Sequence, residues 1–329
     1  MNAKEQSLDR GEQTKFYTAR VGTEHSGSRL DQALSVLFPE FSRARLQRWI
    51  RDGRVSRDGR EVNRPREKLF GGEEIVLEAR LEEQVESRPQ AIPLQVSYQD
   101  DEILVIDKPA GLVVHPAAGN PDGTLQNALL HRDPGLIQLP RAGIVHRLDK
   151  DTSGLLVVAR TLAAHKSLVE QLQRRTVKRE YLAVATGVLT AGGCVDEPIG
   201  RHPMHRTRMA VVADGKPAVT HYRVLERFRA HSLLRVNLET GRTHQIRVHM
   251  AHIRHPLVGD QSYAGRLRLV AGMSPELQGC LYGFNRQALH AHRLGLTHPR
   301  HGEWMEWESA APADLLRLLQ LLRADQHDG

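Results

Sequence analysis

The stretch GIVHRLDKDTSGLLVVAR, residues 143–160, decides how this chain is read. His146, Arg147, Asp149, Lys150 and Asp151 crowd between the apolar pair Ile144-Val145 and the strand-forming run Leu155-Leu156-Val157-Val158. A charged loop pinned between buried segments of a rigid scaffold is where chemistry concentrates; the plainer alternative is a salt-bridged turn capped by Asp149. Asp149 and Asp151 fit poorly as the acid and nucleophile of a glycosidase. Arg147 and Lys150 beside them favour charged carboxylates, whereas an acid catalyst has to keep its proton. One working carboxylate is the better reading.

Around this loop, over residues 94–325, strand and helix signals interleave. Apolar and alternating runs predict strands over 103–107, 155–160, 181–188, 209–212, 219–225 and 233–238. Helical spacing predicts helices over 162–173, 242–252 and 313–322, and Asp214-Gly215 reads as a hairpin turn between two of the strands. The order is no regular βαβ alternation, so the fold class is α+β with a largely antiparallel mixed sheet. A second polar constellation runs from Glu239 to Met250. Thr240-Gly241 supplies a turn, and Arg242, Gln245, Arg247 and His249 supply donors for a carboxylate or phosphate. His249, His252 and His255 recur three apart, but no carboxylate or cysteine accompanies them as a metal site would require; a solvent-facing or RNA-facing row explains the spacing as well.

Upstream, residues 1–25 are polar and aperiodic, which predicts a flexible leader. Leu30, Ala33, Leu34 and Leu37 then mark a helix stopped by Pro39, and Ser42 is a candidate N-cap for a second, carrying Leu46, Trp49 and Ile50. Strand-like Val55, Val62 and Ile75-Val76-Leu77 complete a module over residues 26–80. Between Phe41 and Lys68, ten Arg or Lys, including Arg43, Arg45, Arg48 and Arg51, stand against four acids. That local +6 accounts for nearly all of the chain's net +7, and its recurrence at about every third residue describes a cationic surface more than a solvated helix face. The stretch SRLDQALSVLFPEFSRARLQRWIRDGRVSRDGREVN, residues 28–63, resembles the S4 RNA-binding domain, which implies a small α/β RNA-binding module. Residues 81–93, acidic with two prolines, read as a linker.

Composition removes several classes. At 329 residues, 40% hydrophobic and 26% charged, the chain is neither disordered nor a small disulfide scaffold. Cys194 and Cys280 stand far apart, which suggests neither zinc nor a disulfide framework and fits a reducing compartment. No signal-length apolar segment and no 18-residue apolar run is present, so a cytoplasmic protein with no membrane partner is expected. The phosphate loop, G-x-G-x-x-G, H-E-x-x-H and G-x-S-x-G are all missing, which weakens nucleotide hydrolysis, hydride transfer, zinc proteolysis and serine hydrolysis. An aromatic content of 5% rules against a stacking platform for single strands.

The two constellations, together with KPAGLVVHP (residues 108–116) and REYLA (residues 179–183), resemble the RluA family of pseudouridine synthases, motif by motif over residues 25–325. HPAAGNPDGTLQNALLH (115–131), VDEPIGRHP (195–203), GKPAVTHY (215–222) and RTHQIRVHMAHIRHPLVGDQSYAG (242–265) look most like its members acting on ribosomal large-subunit RNA; the leader and residues 264–286 depart. The resemblance implies the pseudouridine synthase fold. It also implies a reaction that cleaves the C1′–N1 bond of a uridine, turns the uracil and rejoins it through C5, with no cofactor, nucleotide or metal. It makes Asp149 the catalytic carboxylate, acting at C1′, at C2′ or, in an older proposal, at C6. Arg247 becomes its bidentate partner, Tyr181 the ring on the uracil with its phenol near C5, and Ile246 the support beneath the base. Arg147 fills the space a flipped base leaves, His146 is structural or touches RNA, and Arg242 contacts RNA. The implied partner is 23S rRNA or the large ribosomal subunit, at uridines of the helix 69 stem-loop, with a monomer as the default state. The alternatives are transfer RNA, another ribosomal site, or a silent RNA-binding assembly factor; intact Asp149, Tyr181 and Arg247 count against the last.

Overall fold

The computed structural model describes residues 12–327 apart from 40, 42, 83–87, 118, 206 and 268. The chain folds as two compact units that divide at 86/87. In the smaller, β1 (Glu12–Arg20), β2 (Val55–Arg57), β3 (Arg60–Glu61) and β4 (Glu74–Glu82) form an antiparallel sheet in the order β1-β4-β2-β3. Two helices, α1 (Leu30–Leu37) and α2 (Arg43–Arg51), bury Leu30, Leu34, Leu46, Trp49 and Ile50 against Val55, Ile75 and Leu77. Their apolar spacing is what made both legible in the sequence. The expected leader is corrected here, because Glu12–Arg20 pairs along its whole length with β4, Glu12 opposite Glu82 and Arg20 opposite Glu74. Among the described side chains of that strand, Tyr17 and Ala19 pack on the core, too few to give an apolar signal. Residues 1–11 and the candidate cap Ser42 lie outside the described residues.

The expected linker is shortened from both ends. Leu81 and Glu82 belong to β4, while Arg88 and Gln90 are tied to the larger unit through Asn127, whose Nδ2 donates to Arg88 O at 2.9 Å and whose carbonyl accepts from Gln90 N at 3.0 Å.

A fully buried carboxylate, Asp31, organises the small unit. It accepts hydrogen bonds from Arg29 at 3.0 Å, Arg43 Nη2 at 2.8 Å and Gln47 Nε2 at 2.5 Å. Burial pushes its pKa up, but the bonds from Gln47, Arg43 and Arg29 outweigh that and hold it below the ordinary value. Arg43, expected at an RNA interface, thus also ties α2 to Asp31 while its side chain stays exposed. Arg54 pairs with Glu78 and Arg57 with Glu67 in the same way. Arg45, Arg48 and Arg51 share the outer face of α2, Arg45 lying over the Trp49 ring and Arg48 3.9 Å from Asp52.

The larger unit is built on one nine-stranded sheet. Its strands are β5 (Gln95–Gln99), β6 (Ile103–Lys108), β7 (Ser153–Ala159), β8 (Lys178–Thr186), β9 (Gly193–Asp196), β12 (Val219–Arg227), β13 (His231–Leu238), β14 (Leu289–Thr297) and β15 (Trp304–Glu308). The order is β5-β6-β7-β14-β8-β13-β12-β9, with β15 on β14, and only the β7–β14 contact is parallel. One face carries α3 (Leu125–Arg132) and α5 (Gln245–His252), which with Leu156, Val158, Ala183 and Ala185 form the core below the polar loop. The other face carries α4 (Leu162–Gln173), packed through Ala164 and Leu168, and the pair α6 (Pro275–Gly283) and α7 (Ala313–His327).

Two expectations change. Asp214-Gly215 does turn the chain, with Gly215 N donating to Val212 O at 2.9 Å, but it joins no hairpin. The strands beside it pair elsewhere: β11 (Met209–Val211) with β10 (Ile199–Arg201), and β12 with β13 and β9. The histidine row is also divided, with His252 exposed and His255 half-buried as a solvent-facing row would have them, but not His249. His249 is fully buried, with Nδ1 on Thr220 Oγ1 at 2.9 Å and Nε2 on Glu197 O at 3.0 Å, so both ring nitrogens hold the scaffold.

Candidate active site

The polar loop is anchored at every turn before it becomes β7. Ile144 and Leu148 are buried in the core, and Thr152 N donates to Asp149 O at 3.1 Å. Gln287 Nε2 holds Thr152 Oγ1 at 3.0 Å. At Gly154 the backbone runs at φ +111° and a Cβ would lie 2.2 Å from Ala291 O, so the entry to β7 against β14 requires glycine. Lys108, also fully buried, donates from Nζ to the carbonyls of Pro109, Leu112 and Lys150 at 2.8–2.9 Å. Burial drives its pKa down to about 8 against the pull of Asp151 and Asp149. The Lys-Pro-Ala-Gly segment thus clamps the loop from below, and Gly111 N adds a bond to Lys150 O at 2.9 Å.

Asp149 meets Arg247 at one point, Nη1 to Oδ2, 3.1 Å. The bidentate contact expected between them goes to Asp260, with Nε to Oδ2 at 2.7 Å and Nη2 to Oδ1 at 2.8 Å. The reason lies in the rigidity of the Asp260 turn, where Oδ1 also accepts from Ser262 N and Tyr263 N at 2.9 and 3.1 Å. The Tyr263 ring lies 5.0 Å from the guanidinium carbon. Burial works against the Arg247 charge, but the bonds and field of Asp260 and Asp149 outweigh it and raise its pKa above the ordinary guanidinium value.

His244 completes the wall. It adopts the left-handed conformation, φ +57° and ψ +21°, immediately before α5, which is why the helix begins at Gln245 and not at the expected Arg242. Its Nδ1 lies 2.8 Å from Tyr263 Oη and its Nε2 4.0 Å from Asp149 Oδ1. Burial lowers its pKa against the pull of Asp149.

Asp149, His244 and Arg247 open on a cavity of about 800 Å³ also lined by Tyr181, Ile246, His146, Arg147 and Arg242. Tyr181 projects from β8, flanked in register by Val236 and Ala291, and burial raises its pKa, so the phenol keeps its proton. Ile246, buried on the first turn of α5, packs in the core beneath the same space. His146 is a structural group. Its Nε2 accepts from Val157 N at 3.1 Å, and burial with the Arg179 charge pushes its pKa to about 3, leaving a neutral ring. Arg147 is exposed at the rim, and Arg242 donates from Nε to Pro217 O at 3.1 Å. The loop and the α5 constellation, about a hundred residues apart in sequence, thus meet around one carboxylate, while Arg43, Arg45, Arg48 and Arg51 sit in the other unit. Sequence reasoning passed over Lys108, Arg179, His244, Asp260 and Tyr263. An acid thirteen residues after Arg247, beyond a helix end, was the signal for Asp260.

The chain is similar to known proteins over most of its length. The RNA pseudouridylate synthase family model matches residues 102–252 and the S4 domain model residues 28–75. The chain is 58% identical over 311 residues to Ribosomal large subunit pseudouridine synthase D of Yersinia pestis, covering 94% of this chain and 96% of that one. It is 57% identical over 308 residues to the protein of that name from Escherichia coli (strain K12), covering 94% of each. Among solved structures, human RNA Pseudouridylate Synthase Domain Containing 1 superposes with a TM-score of 0.53 at 28% identity, over 72% of this chain and 98% of that one. A carboxylate held by a locked guanidinium beside a buried tyrosine, in a chain more than half identical to these bacterial relatives over 94% of its length, leaves one conclusion: the chain belongs to the RNA pseudouridylate synthase family.

Proposed function

We propose that the chain converts uridines of 23S rRNA to pseudouridine, at the helix 69 stem-loop of the large ribosomal subunit, and does so as a cytoplasmic monomer. The observation that carries the reading is the asymmetric hold on Asp149, which lines the cavity: Arg247 takes Oδ2, while Oδ1 accepts no hydrogen bond among the described residues, His244 Nε2 lying 4.0 Å away. A carboxylate oriented by one oxygen and free at the other is what a reaction at the sugar or base of a flipped uridine needs. Nothing leaves or joins the substrate overall. The C1′–N1 bond breaks, the C1′–C5 bond forms, the C5 proton departs and N1 gains one.

Tyr181 supplies the ring against the uracil, Ile246 supports the base, and Arg147 at the rim is placed to fill the gap the base leaves. The outer face of α2, with Arg45, Arg48 and Arg51, binds phosphates of the same RNA. The curated relatives named for the large ribosomal subunit favour that substrate over transfer RNA.

Purified full-length protein incubated with unmodified 23S rRNA is expected to form pseudouridine in helix 69 and to leave transfer RNA unchanged; conversion of transfer RNA alone overturns the substrate reading. Tyr181→Phe should keep RNA affinity within about threefold and slow single turnover by about 10²-fold at or before loss of the C5 proton, on the scale of a general acid–base group. A native single-turnover rate would remove the hydroxyl from the chemistry.

A further inference from the structure

Arg179 is the one lining group of the catalytic cavity whose state the reaction leaves unexplained. It is 9% exposed, and among the described residues no carboxylate lies within ion-pair distance of it. Its neighbour Glu180 points to the opposite face of β8 and pairs with Arg235 at 3.3 Å. The Arg179 guanidinium meets only main-chain carbonyls, Nη2 reaching Glu239 O at 3.1 Å and Leu238 O at 3.5 Å, while buried Nε has no partner. Burial lowers its pKa, and the nearby Tyr181 is the group that offsets this.

A buried guanidinium without a counter-ion is costly, and folds keep such a group where a ligand supplies the missing charge. The surroundings are prepared for it. Gly241 has no left-handed φ to demand glycine, yet a Cβ there would lie 2.7 Å from Arg179 Nη1, so the missing side chain is what leaves room for the guanidinium. Arg179 and Tyr181 are two apart on one strand, hence on one face and about 6.5–7 Å apart along it. That span separates a nucleobase from the phosphodiester of its own nucleotide.

We propose that Arg179 is the anion site for a phosphodiester flanking the flipped uridine, so that β8 grips base and backbone of one nucleotide with Tyr181 and Arg179. The inference rests on the uridine reading above. The site takes a phosphate monoanion on the guanidinium that lines the cavity, and it makes Arg179 a substrate-binding residue separate from the Asp149 chemistry.

The test is a double-mutant cycle on full-length protein and a ligated 23S rRNA fragment whose converted uridine has been mapped. A single uncharged methylphosphonate replaces the phosphodiester 5′ or 3′ of that uridine. Conversion of the all-phosphodiester fragment by native protein satisfies the uridine reading, whatever the role of Arg179. For one of the two positions, native protein should lose about tenfold to a hundredfold in kcat/KM on methylphosphonate substitution, the range for a hydrogen bond to a charged group. Arg179→Gln should already be that much weaker on the unmodified fragment and lose no more than about twofold further, with Arg179→Lys intermediate. Should Arg179→Gln fail to fold, Gly241→Ala serves, since it displaces Nη1 without removing the charge and should flatten the same methylphosphonate penalty. Equal penalties in native and variant proteins at both positions would leave Arg179 a prop for the 238–241 turn and overturn the proposal.

Discussion

Asp149→Asn is expected to abolish pseudouridine formation while leaving RNA binding intact. The amide keeps an oxygen for Arg247 Nη1 at the present 3.1 Å, so the loop, its Thr152 turn and the Lys108 clamp should stay in place. What disappears is the charge and the basic oxygen that Arg247 leaves unbonded. Removal of a group that acts on the reacting atoms costs about 10⁴-fold or more, or about 5.5 kcal/mol of barrier. Affinity should hold or rise slightly, because a negative charge has been taken from a cavity that receives a polyanion. Single-turnover conversion and filter binding on the same RNA separate the two effects. Turnover within tenfold of native would remove Asp149 from the chemistry.

Asp260→Asn tests the locking of Arg247 and should act on both rate and stability. Asp260 is buried and takes two of the three guanidinium contacts, so its neutralisation leaves a buried Arg247 with only Asp149 to answer its charge. Breaking such a pair costs about 3–5 kcal/mol, which in a unit of this size lowers Tm by roughly 6–15 °C. Released from the turn, the guanidinium is drawn to Asp149 and covers the oxygen now left open. The resulting misplacement should cut kcat by about 10²-fold with KM for RNA little changed. Thermal unfolding with steady-state kinetics checks this; native kcat at a lowered Tm would mean that Asp260 serves the fold alone.

The sequence showed what has a local signature. The helices α1, α2, α4 and α7 announced themselves by apolar spacing; the cap of α4, Thr161, whose hydroxyl accepts from Ala164 N at 3.0 Å, went unread. Asp149, Arg247 and Tyr181 were legible because each sits in a motif with a known relative. β1 was missed because its open face mixes Thr14, Thr18 and Arg20 with an exposed Phe16 and so blurs the alternation, and β14 because histidines and a glycine break its alternation. α3 could have been found: Thr124 and Asn127 form a capping box ahead of Leu125, Ala128 and Leu129. Asp260 and Lys108 escaped for a different reason. Their roles exist only once strands far apart in the chain lie side by side, and no window of sequence contains both an ammonium at 108 and the Lys150 carbonyl it holds. Counting charges in the cationic run could not show that Arg43, exposed like Arg51, also bonds the buried Asp31.

The most direct measurement is the pseudouridine map of 23S rRNA from cells lacking this gene, complemented with either the native chain or Asp149→Asn. Loss of the helix 69 signals in the null cells, restored by the native chain and not by Asp149→Asn, is the predicted result. Signals that persist without the gene, or that return with Asp149→Asn, would contradict the assignment of this carboxylate and its cavity to the modification of 23S rRNA.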